Sequence, residues 1–240
     1  ILKNISESGG RGILPEEMPI VVTVFLAIGA WRISKKKVLA RKISSLEFLG
    51  STTVLCVDKT GTLTENKMQI RKIFSSSKYL DIHKKKKDAL PEEFHEVVEH
   101  GILASSKDPF DPMEKALNEL GETKLKNTEH LHHGWEVEEE YAISKELLAI
   151  SHAYKNPDGN GFIISAKGAP EAVMDLCHLT HDERMELSQV VDEMGNEGLR
   201  ILGIAKSVHS DSHLPQNQHD FDFEFLGFIG WEDPVRDGVI

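Results

Sequence analysis

Seven consecutive residues, Asp58-Lys59-Thr60-Gly61-Thr62-Leu63-Thr64, bring a carboxylate, a cation, three hydroxyls and a glycine into one short run. A carboxylate can attack a phosphoryl group to give an acyl phosphate, and the surroundings of Asp58 suit that step. Gly61 and the small hydroxyl side chains let backbone N–H groups approach a phosphoryl oxygen, while Lys59 adds positive charge nearby. The preceding run, Thr53-Val54-Leu55-Cys56-Val57, is apolar and β-branched and predicts a buried strand of a parallel sheet. Open α/β sheets present reactive groups at the carboxyl ends of such strands, where Asp58 falls. The same residues also suit a capped strand end, because Asp before Lys-Thr-Gly is good turn chemistry.

Two further groupings carry chemistry. In Lys167-Gly168-Ala169-Pro170-Glu171 a cation and a glycine stand before a predicted helix whose first N–H groups are free, which together suit a nucleotide. Near the start, Pro15-Glu16-Glu17-Met18-Pro19 sets two carboxylates between prolines, ahead of the apolar run Ile20 to Trp31 and the basic cluster Lys35-Lys36-Lys37. That apolar run is about half of the roughly 20 residues a spanning helix needs, so 13–34 reads as half a transmembrane helix with a cytoplasmic basic end. Carboxylates at membrane depth mark ion paths, and a broken helix there frees carbonyls. A soluble helix with acidic residues at its N-terminus fits the same pattern.

The elements that must position these groups follow in order. Pro91 to Ser105 predicts a helix with Phe94, Val97, Val98 and Ile102 on one face. Asp111-Pro112-Met113-Glu114 opens another, spaced as a capping box, with Met113, Ala116, Leu117 and Leu120 as its stripe. Trp135 to Tyr154 reads as a strand, Asn156 to Gly159 as a turn, and Phe162 to Ala166 as the returning strand of a hairpin. Thr180 and Glu183 form a second capping box, opening a helix to about Gly195. Arg200 to Val208 and Phe223 to Trp231 are strands, separated by the polar loop Ser210 to His219.

Composition narrows the function. The 240 residues carry 40% apolar side chains and a net charge of −11, enough for a core and opposed to a nucleic-acid partner. The lysines at 84–87 read as a solvated loop. Cys56 and Cys177 make no disulfide framework and point to a reducing compartment. His130, His132 and His133 lack partners at zinc spacing and read as loop residues.

The run from Asp58 to Thr64 resembles, at all seven positions, the phosphorylation motif of the P-type ATPases, membrane ion pumps of the haloacid dehalogenase superfamily. By that resemblance Asp58 is phosphorylated, the Thr60 carbonyl helps hold Mg²⁺, Thr62 contacts the phosphate and Lys59 belongs to the catalytic loop. Glu16 falls on the ion-binding Glu of a Pro-Glu-x-x-Pro motif, a ligand for a hard cation such as Ca²⁺. Glu114-Lys115-Ala116-Leu117 is similar to a segment whose Glu lies near bound adenine; for Glu114 the capping role stays open beside it. Lys167 and Gly168 match the ATP-binding loop, Arg200 an arginine that meets the nucleotide phosphates, and Asp233-Pro234-Val235-Arg236 the hinge back into the phosphorylation domain, with Asp233 and Arg236 placed at the nucleotide.

The implied organisation is α/β with an α+β insertion. Residues 1–12 are an irregular tail, 13–34 the half helix and 35–66 the first part of a Rossmann-like phosphorylation domain. An antiparallel-sheet nucleotide-binding domain with packed helices takes 67–230, and 231–240 is the hinge. The implied activity is ATP-driven cation transport through an aspartyl-phosphate, with ATP, Mg²⁺ and a membrane as partners. The implied setting is a bacterial plasma membrane, with residues from about 35 onward on its cytoplasmic side.

Several departures qualify this. Where the family places an aromatic residue for adenine and a nearby Lys, this chain has Ile143 and Leu148, and Tyr141 alternates to the opposite strand face. No Thr-Gly-Glu or Gly-Asp-Gly-x-Asn-Asp segment is present, so the chain alone is expected not to turn over ATP. A stand-alone nucleotide-binding fragment or regulatory module is the competing reading. A soluble phosphatase is disfavoured, because Thr60 stands where such enzymes carry a second Asp.

Overall fold

A computed structural model describes residues 18–39, 41–42, 44–83, 89–126, 128–132, 134–157 and 159–239. Glu16, the lysines at 84–87, His133 and the tail 1–12 lie outside these. The chain divides into two compact units at Val57/Asp58.

In the first unit, helix α1 (Met18–Ser34) is 17 residues long, apolar on all sides and has no buried residue. No helix among the described residues is long and apolar enough to cross a membrane. Helix α2 (Ser44–Gly50) follows. The strand expected at 53–57 is not formed: these residues have no regular structure, and Val54 and Leu55 are 77% and 73% exposed. The reason is physical. A lone strand leaves its backbone groups without a ladder, and among the described residues no strand pairs with this run.

The second unit is built on a seven-stranded antiparallel sheet in the order β2-β1-β7-β6-β5-β4-β3. Its strands are β1 (Gln69–Ser75), β2 (Lys78–Asp81), β3 (Val137–Tyr141), β4 (Ala149–Lys155), β5 (Phe162–Gly168), β6 (Arg200–His209) and β7 (Glu224–Glu232). Successive side chains point to opposite faces, so consecutive apolar residues feed two cores. Ile73, Ile204, Ile229 and Trp231 meet Val97 and Val98 of α3 (His95–Leu103) and Leu117 of α4 (Pro112–Lys124). On the other face Phe74 and Phe228 meet Met194 of α6 (His181–Asn196), while Ile164 and Ala166 meet Val173 and Leu176 of α5 (Pro170–Leu176). The predicted stripes of α3 and α4 and the Thr180/Glu183 capping box all form.

The expected single strand over 135–154 is instead the antiparallel pair β3 and β4. The loop between them closes on Ser144, whose Oγ accepts from Leu147 N at 3.0 Å while its N–H donates to Leu147 O. His130 Nδ1 and His132 Nε2 both hydrogen-bond with Glu99 of α3, at 2.5 and 2.6 Å. That contact anchors their loop to the helix, and no sequence spacing announces it.

Candidate nucleotide site and phosphorylation loop

Helix α4 begins where its sequence says it should. Asp111 Oδ1 accepts from Met113 N at 2.7 Å and Glu114 N at 3.3 Å, and Pro112 occupies the first helical position. Glu114 does not complete the box: its carboxylate goes to Lys167 on β5. Lys167 Nζ also donates to Ser105 Oγ at 2.7 Å, just beyond α3. Trp231 Nε1 donates to Met113 O at 3.1 Å, so the first turn of α4 is held to both β5 and β7.

These contacts frame a cleft of about 190 Å³ lined by Asp111, Glu114, Lys167, Arg200, Leu202 and Ser105, with Met113, Leu117 and Trp231 completing its walls. Arg200 opens β6 and is exposed, and among the described residues no carboxylate pairs with it. Lys167 is only 8% exposed, and burial lowers its pKa below the ordinary lysine value despite the opposing pull of Glu114 and Asp111. Two cations and two carboxylates thus face a cavity smaller than the roughly 300–1,000 Å³ of whole small-molecule sites, room for one end of a nucleotide.

The structure therefore brings Glu114, Lys167 and Arg200 together. Ile143 is 62% exposed and outside the lining, and Leu148 is 52% exposed. Tyr141 lies on the opposite face, its hydroxyl donating to Pro215 O and its ring edge-on to Phe221. Ser105, Leu202 and Trp231 escape a reading by motif. Ser105 sits 62 residues before Lys167 with nothing in the spacing to join them.

Gly168 allows a close approach, and the neighbour is backbone. A Cβ there would lie 2.4 Å from Leu148 O and 2.6 Å from Ala149 Cα. Gly168→Ala must push β4 and β5 apart beside Lys167, at a cost of about 1–3 kcal/mol. Calorimetry should show the melting temperature lowered by roughly 2–12 °C. An unchanged transition would mean that the strands part freely.

The loop after Asp58 is a turn over Lys59–Leu63 closed by Thr64 N donating to Lys59 O at 3.1 Å, and Gly61 provides its φ of +77°. Asp58 is exposed, and its side chain caps nothing. Thr64 is buried, accepts from Gly61 N at 3.1 Å and donates to Asp233 Oδ2 at 2.5 Å. Asp233 Oδ1 accepts from Lys67 N at 3.2 Å. Arg236 donates through Nε to Thr64 O at 2.9 Å and through a terminal nitrogen to Gly61 O at 3.2 Å. Asp233 and Arg236 are absent from the cleft lining and serve as a strap across the Lys59–Leu63 turn.

A seven-stranded antiparallel sheet with helices packed on both faces is the architecture of an α/β nucleotide-binding domain. The chain belongs to the P-type ATPase family: the family model described as P-type ATPase, cytoplasmic domain N, matches residues 109–238. It is 31% identical to calcium-transporting ATPase 1 of Saccharomyces cerevisiae, over 98% of this chain and 28% of that protein. It is 30% identical to the human calcium-transporting ATPase type 2C member 1, over 98% and 28%. With calcium-transporting ATPase 1 of Bacillus cereus the identity is 27%, over 94% and 27%. The chain thus spans little more than a quarter of these relatives.

Proposed function

We propose that this chain is the nucleotide-handling portion of an ATP-driven cation pump, in which the cleft binds ATP and Asp58 receives its γ-phosphoryl group. The observation that carries the reading is the meeting of Glu114, Lys167 and Arg200 in one cleft from α4, β5 and β6. Arg200 is free to meet phosphate oxygens, and Lys167 can exchange its bond to Glu114 for one to the ligand. In the transfer, an Asp58 oxygen forms a bond to the γ-phosphorus as that atom's bond to the β–γ bridging oxygen breaks. ADP leaves with the electron pair.

Membership in the family implies ATP and Mg²⁺. Mg²⁺ supplies charge neutralisation when bound, and the proposed ligands here are Asp58 and the Thr60 carbonyl. Among the described residues no group of three or more His, Cys, Asp or Glu could hold a metal, so these residues alone do not fit a whole Mg²⁺ site. The relatives' names point to Ca²⁺ as the cargo, with Glu16 as a proposed ligand and the 13–34 segment at the membrane. Residues from about 35 onward then lie on the cytoplasmic side.

Titration of the chain with ATP, followed by NMR, should perturb residues around Lys167 and Arg200 and saturate in the millimolar range or below. A spectrum indifferent to millimolar ATP would overturn the proposal.

A further inference from the structure

We propose that Ser105 is a positioning residue for the nucleotide: it holds the Lys167 ammonium in the cleft while Glu114 gives way, a role that rests on the reading of the cleft as a nucleotide site. Ser105 is buried and lines the cleft just beyond α3. Its N–H donates to Ile102 O at 2.8 Å and its Oγ donates to Gly101 O at 2.8 Å, both in the last turn of that helix. A hydroxyl has one proton. With that proton committed to Gly101, the oxygen can only accept from Lys167 Nζ, 2.7 Å away.

Helix α3 is itself fixed against the strand that carries Lys167. Two residues earlier on the same face of β5, Ser165 Oγ lies 2.7 Å from His100 Nδ1. Burial lowers the pKa of His100 to about 4, so at neutral pH this contact ties helix to strand without adding a second cation. The helix also lies close against α4, since a Cβ at Gly101 would meet Leu117 Cδ2 at 3.0 Å. Ser105 is thus anchored to the scaffold.

The two partners of Lys167 differ in kind. Glu114 is a carboxylate, and with Asp111 it sets negative charge on the wall that a polyphosphate must approach. An incoming nucleotide therefore competes with Glu114 for the ammonium. Ser105 is neutral and repels nothing, so its bond survives the exchange. Without that second anchor, a lysine released by Glu114 would regain the freedom of a long side chain and lose it again on meeting the ligand, at the expense of affinity.

The test reads two quantities on the whole chain: ATP affinity by isothermal titration, and the protonation of the Lys167 side chain by carbon NMR without nucleotide. Ser105→Ala should weaken ATP binding about tenfold, the scale of one hydrogen bond to a charged group. It should also lower the pKa of Lys167 further, because an acceptor that favours the ammonium is gone. The other charged groups facing the lysine, Asp111 and Glu114 at the start of α4 and Arg200 on β6, stay the same in each variant. Ser105→Cys keeps nearly the volume but offers only a weak acceptor, and it should behave as Ser105→Ala does. Wild-type ATP affinity in Ser105→Ala overturns the proposal while leaving the cleft's assignment standing. Weaker binding with an unchanged Lys167 titration also overturns it, because the serine would then shape the cleft without holding the lysine. So does a Cys variant that binds ATP as the wild type does, since volume would then be what matters. A wild-type chain that binds no ATP overturns the cleft assignment and this proposal together.

Discussion

Fused into the full length of a P-type relative, the chain should take up an acid-stable, hydroxylamine-labile phosphate from ATP, and the Asp58→Asn variant should take up none. Hydroxylamine cleaves acyl phosphates and spares phosphate esters, so the label reports a carboxylate. The substitution keeps the size of the side chain and removes the nucleophile. The loop around it should survive, because Asp58 caps nothing and the turn is held by Thr64, Asp233 and Arg236. Quantitative loss is therefore the expected result. Label that persists in Asp58→Asn would place the nucleophile elsewhere. Failure of the wild-type fusion to label at all would favour a nucleotide-binding module without turnover.

The second large effect is expected at Lys167. Lys167→Met preserves length and packing but takes away the one buried cation of the cleft, and it leaves Glu114 facing the proposed nucleotide position without its lysine partner. Losing one side of a charge pair of this kind costs about 2–4 kcal/mol, or roughly thirty- to several-hundredfold in ATP affinity by titration calorimetry. Affinity within threefold of wild type would show that the lysine is structural. The pH dependence separates the two roles further. Burial lowers the pKa of Lys167 below 10.5, so as pH rises toward that value the folded protein releases this proton before the unfolded chain does. In that window the unfolded state binds more protons, so the lysine's contribution to stability rises with pH. ATP affinity should fall over the same range as the cation is lost. Subtracting the Lys167→Met profile isolates both trends from other titrating groups.

Much of the nucleotide-binding unit is legible in the residues. Stripes at helical spacing, the Asp111 cap and the Thr180/Glu183 box state their elements locally, and the structure keeps them. The cleft is legible only through resemblance, because Glu114, Lys167 and Arg200 come from separate elements and no periodicity joins them. Ser105 and the Glu99 anchor of His130 and His132 are tertiary coincidences of this kind. The run Thr53 to Val57 misleads for the opposite reason: its β-branched residues suit a strand, yet burial depends on neighbouring strands, which the described residues do not supply. The split of 135–154 is missed because Tyr141-Ala142-Ile143 carries the apolar character on without a Gly or Pro, while Ser144 turns the chain.

The bond between Thr64 and Asp233 joins positions 169 residues apart. Closing a loop of that length is entropically unfavourable until the contacts inside it form, so the strap arrives late in folding. The turn that carries Asp58 closes on its own local bonds, from Thr64 N to Lys59 O and from Gly61 N to Thr64 Oγ1, and gains the Asp233 clasp only once β7 has brought the following segment back beside it. Any misfolding of the seven-stranded sheet leaves the turn unclasped. The carboxylate proposed as phosphate acceptor thus sits on a turn whose clasp requires the nucleotide-binding unit to be complete.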